Sequence, residues 1–287
     1  MYWLNSRVLY LMKLATFTHN GRTRIGIIEG DTIQMVAWQD NMRQLIRRGI
    51  SPSKTYERLP LADATLQAPL IPGKIVAIGR NYAEHAAELG NELPERPVIF
   101  AKFPSTVIGT GATITWRSSI TTQVDWEAEL AVVIGKQTKD VTEEDALSHV
   151  YGYCVANDVS ARDLQLRIDS QWTRGKSLDT FCPLGPYIVT RDEIADPQNL
   201  AVKTTVNGKT MQDSNTKHMI FSVAHLISYC SQMFTLEPGD LIITGTPSGV
   251  GDGRKPPRYL GDGDVVTVSV EGIGEVSNPC KVIDDKE

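Results

Sequence analysis

The chain has 287 residues, 41% of them hydrophobic and 22% charged, with 29 basic against 34 acidic side chains and a net charge of −5. That length buries a sizeable core without disulfide or metal staples, and the apolar-to-charged balance excludes an intrinsically disordered chain. A mildly acidic chain lacks the basic face that phosphate backbones and anionic membranes require, so nucleic acid is excluded as a partner.

The first residues, MYWLNSRVLYLMKLATF, show neither the long apolar stretch nor the small-residue cleavage site of a signal peptide. No apolar run reaches the roughly 18–20 residues of a membrane span. No membrane partner is expected, and a cytoplasmic location is. Residues 1–11 read as an extension ahead of a natural start at Met12. Cys154, Cys182, Cys230 and Cys280 lie far apart, with no C-x-x-C pair, and read as buried thiols rather than a zinc or redox site.

Residues 12–70 form a small N-terminal unit. KLATFTH and TRIGIIEGDTIQMV alternate around a Gly-Asp turn and predict short strands. MRQLIRRGI predicts a short helix stopped by Gly49, its three arginines forming a solvated face. Pro69 and Pro72 then break regular structure before the larger unit, residues 71–287. From Lys74 onward β-branched runs dominate: KIVAIG, PVIFAKF, LAVVIG, GYCVANDV, LIITG and DVVTVSV. Helical patterns are fewer, namely YAEHAAEL, TEEDALSHV and FSVAHLISYCSQM. Strands and helices do not alternate regularly, which points to a strand-rich α+β fold rather than a doubly wound nucleotide-binding sheet.

Chemistry concentrates in a few segments. In Val124-Asp125-Trp126-Glu127-Ala128-Glu129-Leu130, period-2 alternation puts Asp125, Glu127 and Glu129 on one face and the apolar residues on the other. Neighbouring carboxylates there are roughly 6–7 Å apart and repel by about 2–3 kcal/mol at an effective dielectric near 20. A divalent cation would relieve that repulsion; an exposed polar face is the alternative. Asp158 ends the apolar run GYCVAN, so it is expected to be buried and either paired with Arg162 or ligating a metal. Three convergent carboxylates suit Mg²⁺ or Mn²⁺, with Ca²⁺ as a further option, and the five histidines show no zinc spacing. His85 and Glu88 stand at i and i+3 of one predicted helix, where a carboxylate can orient an imidazole to act as a base; an ordinary surface neighbour pair is the alternative. Lys176 follows a Thr-Arg-Gly sequence that lacks the first glycine of a phosphate loop; it is either a surface charge or a stabiliser of an enolate. Gly245-Thr246-Pro247-Ser248-Gly249-Val250-Gly251 closes a strand with a glycine-rich turn, whose amides can approach an anion or serve only as a turn.

Five segments in order resemble the fumarylacetoacetate hydrolase superfamily: G-R-N-Y-x-x-H-x-x-E, D-W-E-A-E-L-A-V-V-I-G, N-D-V-S-A-R-D-L-Q, G-K-S-L-D-T-F-C-P-L-G-P and I-T-G-T-P-S-G-V-G. The resemblance spans about residues 74–282. It implies a mixed β-sheet roll with a small, variable N-terminal α/β domain, commonly as a homodimer. By the same resemblance Glu127, Glu129 and Asp158 are the metal ligands and Asp125 supports them. His85 and Glu88 lie on a lid-like segment, and Lys176 is the family's lysine. Arg162 and Gln165 contact substrate oxygens or support Asp158, and Thr246 binds the carboxylate side of the substrate. The implied activity is Mg²⁺- or Mn²⁺-dependent C–C bond cleavage in a small 2-oxo acid, by acylpyruvate hydrolysis or oxaloacetate decarboxylation. Isomerisation or decarboxylation of a heptadienedioate, and a non-catalytic metabolite-binding role, are the alternatives.

Overall fold

The computed structural model describes residues 11–284 apart from 89, 91 and 169, so the expected N-terminal extension lies, except for Leu11, outside the described residues. Among the described residues the strands form one large mixed sheet, a smaller five-stranded sheet and a short ladder between Val124–Asp125 and Ser160–Ala161. The main path of the large sheet runs in the order Lys54–Pro60, Thr32–Val36, Arg22–Glu29, Lys13–His19, Cys182–Thr190, Val150–Asn157, Ala128–Ile134, Leu241–Ile243, Ile75–Gly79, Val98–Lys102. The N-terminal strands thus extend the sheet of the larger unit through Lys13↔Val189 and Leu14↔Ile188 instead of forming a sheet of their own. The strand-rich α+β architecture matches the sequence expectation.

Period-2 alternation decides how the central strand is used. Val124, Trp126, Ala128, Leu130, Val132 and Ile134 enter one hydrophobic core, while Ala131 and Val133 enter a second on the opposite face. The regular pairing breaks between Asp125 and Ala128, yet the alternation continues across the break. Glu127 and Glu129 therefore share the face of Ala131, at the strand's entry into the sheet.

Strand direction gathers the functional segments. Ala128–Ile134 is antiparallel to Val150–Asn157, with Ala128 opposite Asn157, and antiparallel to Leu241–Ile243, which is parallel to Ile75–Gly79. Glu127, Asp158, Thr246 and Arg80 consequently emerge at one end of the sheet, although they are up to 166 residues apart in sequence.

Of the predicted helices, Met42–Arg48 is capped by Asn41 and stopped by Gly49 at φ +60°, as its sequence demands. Arg47 and Arg48 are exposed, but Arg43 is half-buried against Gly73 and Gly239, so the arginines do not form one solvated face. Val223–Met233 begins at the Ser222 cap and buries Val223, Leu226, Ile227 and Cys230, the i, i+3, i+4, i+7 stripe. TEEDALSHV gives only Glu143–Ala146 and a 3₁₀ turn, because the chain re-enters the sheet at Val150. All four cysteines are free and buried, and burial pushes the Cys182 thiol up to about 12, which leaves it inert. No helix among the described residues is long and apolar enough to cross a membrane.

Candidate active site

Glu127, Glu129 and Asp158 converge. Each offers a carboxylate oxygen, these oxygens lie within 4.8 Å of one another, and all three residues are buried. Local backbone contacts fix the set: Glu127 N donates to Asn157 Oδ1 at 2.9 Å, and Asp158 N donates to the Glu127 carbonyl at 2.9 Å. Glu129 Oε2 accepts from Gly245 N at 2.7 Å. The exposed-face alternative for these acids is therefore set aside.

Buried cations compensate them. Lys176 Nζ is 2.8 Å from both Glu127 Oε2 and Asp158 Oδ2, and Arg162 Nη1 is 2.7 Å from Glu127 Oε1. Lys102 Nζ, which the sequence reading did not single out, lies 2.7 Å from Asp158 Oδ1. It occupies the same buried face of its strand as Phe100, and that alternation was the available signal. Asp125 completes the group by accepting from Arg162 Nε at 2.8 Å, Gly251 N at 2.7 Å and Asp252 N at 2.9 Å. Arg162 thus braces Asp125 and Glu127, while Asp158 is neutralised by the two lysines.

Four buried carboxylates against three buried cations leave one excess negative charge. That excess acts on the carboxyls within the group. Burial alone would raise the Glu127 carboxyl, but Lys176 and Arg162 hold it down at about 2. Glu129 makes no direct ion pair; burial, Asp158 and Glu127 push its carboxyl well above the usual range. The donor set fits a hard divalent cation. It is all oxygen, it holds a carboxyl that keeps its proton for want of positive charge, and Asp158 Oδ1 makes no hydrogen bond beyond its ion pair to Lys102.

The helix Ala83–Glu88 carries the second constellation. His85 is buried, its Nδ1 lies 3.3 Å from Glu88 Oε2, and Glu88 in turn accepts from Gly249 N at 3.0 Å. His85, Glu127, Arg162, Gln165, Lys176 and Thr246 all line one cavity of about 150 Å³. That is room for several waters or a small acid.

The predicted residues are placed in different ways. Gln165 accepts from Arg162 Nη1 at 3.0 Å, and Arg162 Nη2 is buried with no hydrogen-bond partner. The Thr246 hydroxyl donates to the Ala128 carbonyl at 3.0 Å and accepts from Gln212 Nε2 at 2.8 Å, so its proton is already committed. The glycine-rich loop does approach anions, but these are the protein's own carboxylates: Gly245 holds Glu129, Gly249 holds Glu88 and Gly251 holds Asp125. Residues to which the sequence assigned no role also line the cavity, among them Arg80, Phe100 and Trp172. Trp172 packs edge-on to Phe100 at 5.4 Å, and a Cβ on Gly79 would lie 2.3 Å from its ring.

Two stability outcomes follow from these charges. Asp125→Ala removes a partner of a buried guanidinium and is expected to cost about 3–5 kcal/mol in urea unfolding. In chelator-treated protein Glu129 keeps its proton at pH values where the unfolded chain has lost it, so stability falls as pH rises above 4.5 through the raised value. Glu129→Gln is expected to flatten that fall and to raise Tm at neutral pH, as measured by calorimetry across pH.

Residues 74–281 match the family described as Fumarylacetoacetate (FAA) hydrolase C-terminal, and residues 12–69 match the family described as Rv2993c-like, N-terminal. The chain is 44% identical over 261 residues to the oxaloacetate tautomerase YisK of Bacillus subtilis, covering 88% of this chain and 86% of that one. Among solved structures it is similar to the fumarylacetoacetate hydrolase of Exiguobacterium antarcticum, at 42% identity and TM-score 0.87 over 95% of this chain and 100% of that one. It also resembles 2-hydroxyhepta-2,4-diene-1,7-dioate isomerase of Mycobacterium marinum, at 37% identity and TM-score 0.81 over 96% of this chain and 100% of that one. With the matched family profile spanning most of its length and the ordered motifs converging on one cavity, the chain belongs to the fumarylacetoacetate hydrolase superfamily.

Proposed function

We propose that this protein is a divalent-cation-dependent enzyme that interconverts the keto and enol forms of a small 2-oxo acid, with oxaloacetate as the first substrate to test. One observation carries the reading: Glu127 of a buried carboxylate triad and the buried imidazole of the His85–Glu88 pair line the same small cavity. The name of the Bacillus subtilis relative supports the choice of substrate.

A Mg²⁺ or Mn²⁺ ion held by Glu127, Glu129 and Asp158 would supply Lewis-acid stabilisation of the charge that develops on the 2-oxo oxygen. The chain's own groups perform the rest. Lys176 adds a buried ammonium beside that oxygen. Arg162 Nη2, without a partner in the protein, donates to a carboxylate oxygen of the acid. His85 removes the proton from C3, with Glu88 holding the imidazole in place, and the same proton is returned at the oxygen, so nothing is consumed. The walls of the cavity limit water at the reacting carbon. The homodimer implied by the resemblance is the assembly this reading carries.

Decarboxylation and acylpyruvate hydrolysis pass through the same enolate, and His85 with Glu88 could equally activate the water that hydrolysis needs. The assay must therefore separate three outcomes. Ultraviolet absorbance reports the enol of oxaloacetate, malate dehydrogenase titrates total oxaloacetate, and lactate dehydrogenase titrates pyruvate. Faster approach to keto–enol equilibrium without pyruvate formation, lost on chelation, is expected. Pyruvate formation instead assigns decarboxylation, and cleavage of acetylpyruvate assigns hydrolysis. His85→Gln is expected to slow the reaction by about 10²–10⁴-fold while leaving the fold intact. Glu129→Gln is expected to weaken Mn²⁺ binding, read by titration calorimetry, by about tenfold or more, since the number of charged ligands sets affinity for hard cations. Full activity in the presence of chelator would end the cation-dependent reading.

A further inference from the structure

We propose that Arg80 is the residue that selects a dicarboxylic 2-oxo acid, by binding the carboxylate at the end of the substrate remote from the carboxylate triad. This rests on the 2-oxo acid reading above and adds a specificity residue to it.

Most charged groups around the cavity are already paired within the protein. Lys176 is committed to Glu127 and Asp158, and Arg162 to Asp125 and Glu127 except for its Nη2. The acid at the rim, Asp252, is held by Arg167 Nη2 at 2.7 Å and Tyr259 Oη at 2.5 Å. The amides of the glycine-rich loop are spent on Glu129, Glu88 and Asp125. Arg80 also lines the cavity, and among the described residues no carboxylate lies within ion-pair distance of it. It is a half-buried guanidinium whose hydrogen-bonding edge is unclaimed among the described residues.

Its position is built. The guanidinium carbon lies 5.5 Å from the centroid of the Trp172 ring, so the aromatic face supports the cation while its donors stay available. Trp172 is itself fixed between Phe100 and the bare face of Gly79. The backbone of Arg80 is left-handed, at φ +56°, which a long side chain adopts only under constraint. Asn81 imposes that constraint: fully buried, it donates to the Thr244 and Phe221 carbonyls at 2.8 and 3.1 Å and accepts from Phe221 N at 2.8 Å. A strained backbone that presents an unpaired cation to a cavity is an arrangement for an anionic ligand. With the triad and Arg162 taking the 2-oxo carboxylate end, that ligand group is the second carboxylate. An acid with a methyl group there gains nothing from Arg80.

The test compares malate with 2-hydroxybutyrate, two unreactive probes that share one end and differ by a carboxylate against a methyl at the other. Binding of each to the wild type, Arg80→Gln and Arg80→Lys is measured by titration calorimetry with Mn²⁺ present, and circular dichroism verifies folding. The wild type is expected to prefer malate. Arg80→Gln is expected to weaken malate by about 10–100-fold, as loss of a charge-assisted carboxylate contact does, and to change 2-hydroxybutyrate by less than about twofold. Arg80→Lys is expected to retain part of the preference. No malate preference in the wild type, an equal loss for both probes, or no loss for either overturns the proposal. If the malate preference depends on Arg80 while oxaloacetate and acetylpyruvate are not turned over, the catalytic reading fails and the Arg80 assignment stands.

Discussion

Everything at this site depends on placing four carboxylates inside the protein at one end of a sheet. An isolated buried carboxylate is costly enough that it would sooner keep its proton than ionise. Here three of the four are paired with Lys102, Arg162 and Lys176, and the fourth, Glu129, has the Gly245 amide and no ion pair among the described residues, so its carboxyl is pushed well above its usual range. The three cations are buried for the same reason, since each would be as costly without its partner. With all four carboxylates ionised this charge lattice would be one positive charge short of neutral, and a divalent cation would let Glu129 give up its proton.

The lattice also holds the fold together at a distance. Asp125 joins the entry of the central strand to Gly251 and Asp252, and Gln212 ties Ala128 N to the Thr246 hydroxyl and the Pro247 carbonyl. Each link crosses 34–127 residues of sequence. The glycine-rich loop is where these links meet. Gly249 adopts φ +102°, and a Cβ there would fall 2.2 Å from the Met211 carbonyl, so only glycine lets the loop lie against that strand and still direct its amide at Glu88.

What could be read from the sequence was what a period can carry. Alternation through 124–134 separated the core residues from the converging carboxylates, and it holds across a break in strand pairing that no sequence signal marks. The helix Ala83–Glu88 was legible because its stop, Gly90, sits at φ +69°. The ordered motifs did the rest, by resemblance. Partner identity was not legible: Arg162 stands four residues from Asp158 yet pairs with Asp125 and Glu127, because strand register and not proximity in sequence sets the contact. Arg43 looked like one of three surface arginines and is instead packed on two glycines, since nothing local reveals that Gly73 and Gly239 leave room for it. Lys102 could have been found by extending the alternation argument to VIFAKF, where the lysine falls in phase with a buried phenylalanine.

These contacts divide the cavity into two parts with different freedom to change. The carboxylates, His85 and the loop amides hold one another through backbone and buried charge, so altering any one of them unpairs another. The rest of the lining includes Arg80, Trp172 and the half-exposed Leu166, which take no part in that charge network. Chemistry that begins with an enolate needs only the first part. Which acid is admitted is decided by the second, where a substitution changes the ligand and leaves the charge lattice intact. Arg80 is the charged position in that second part of the lining on which a second carboxylate depends.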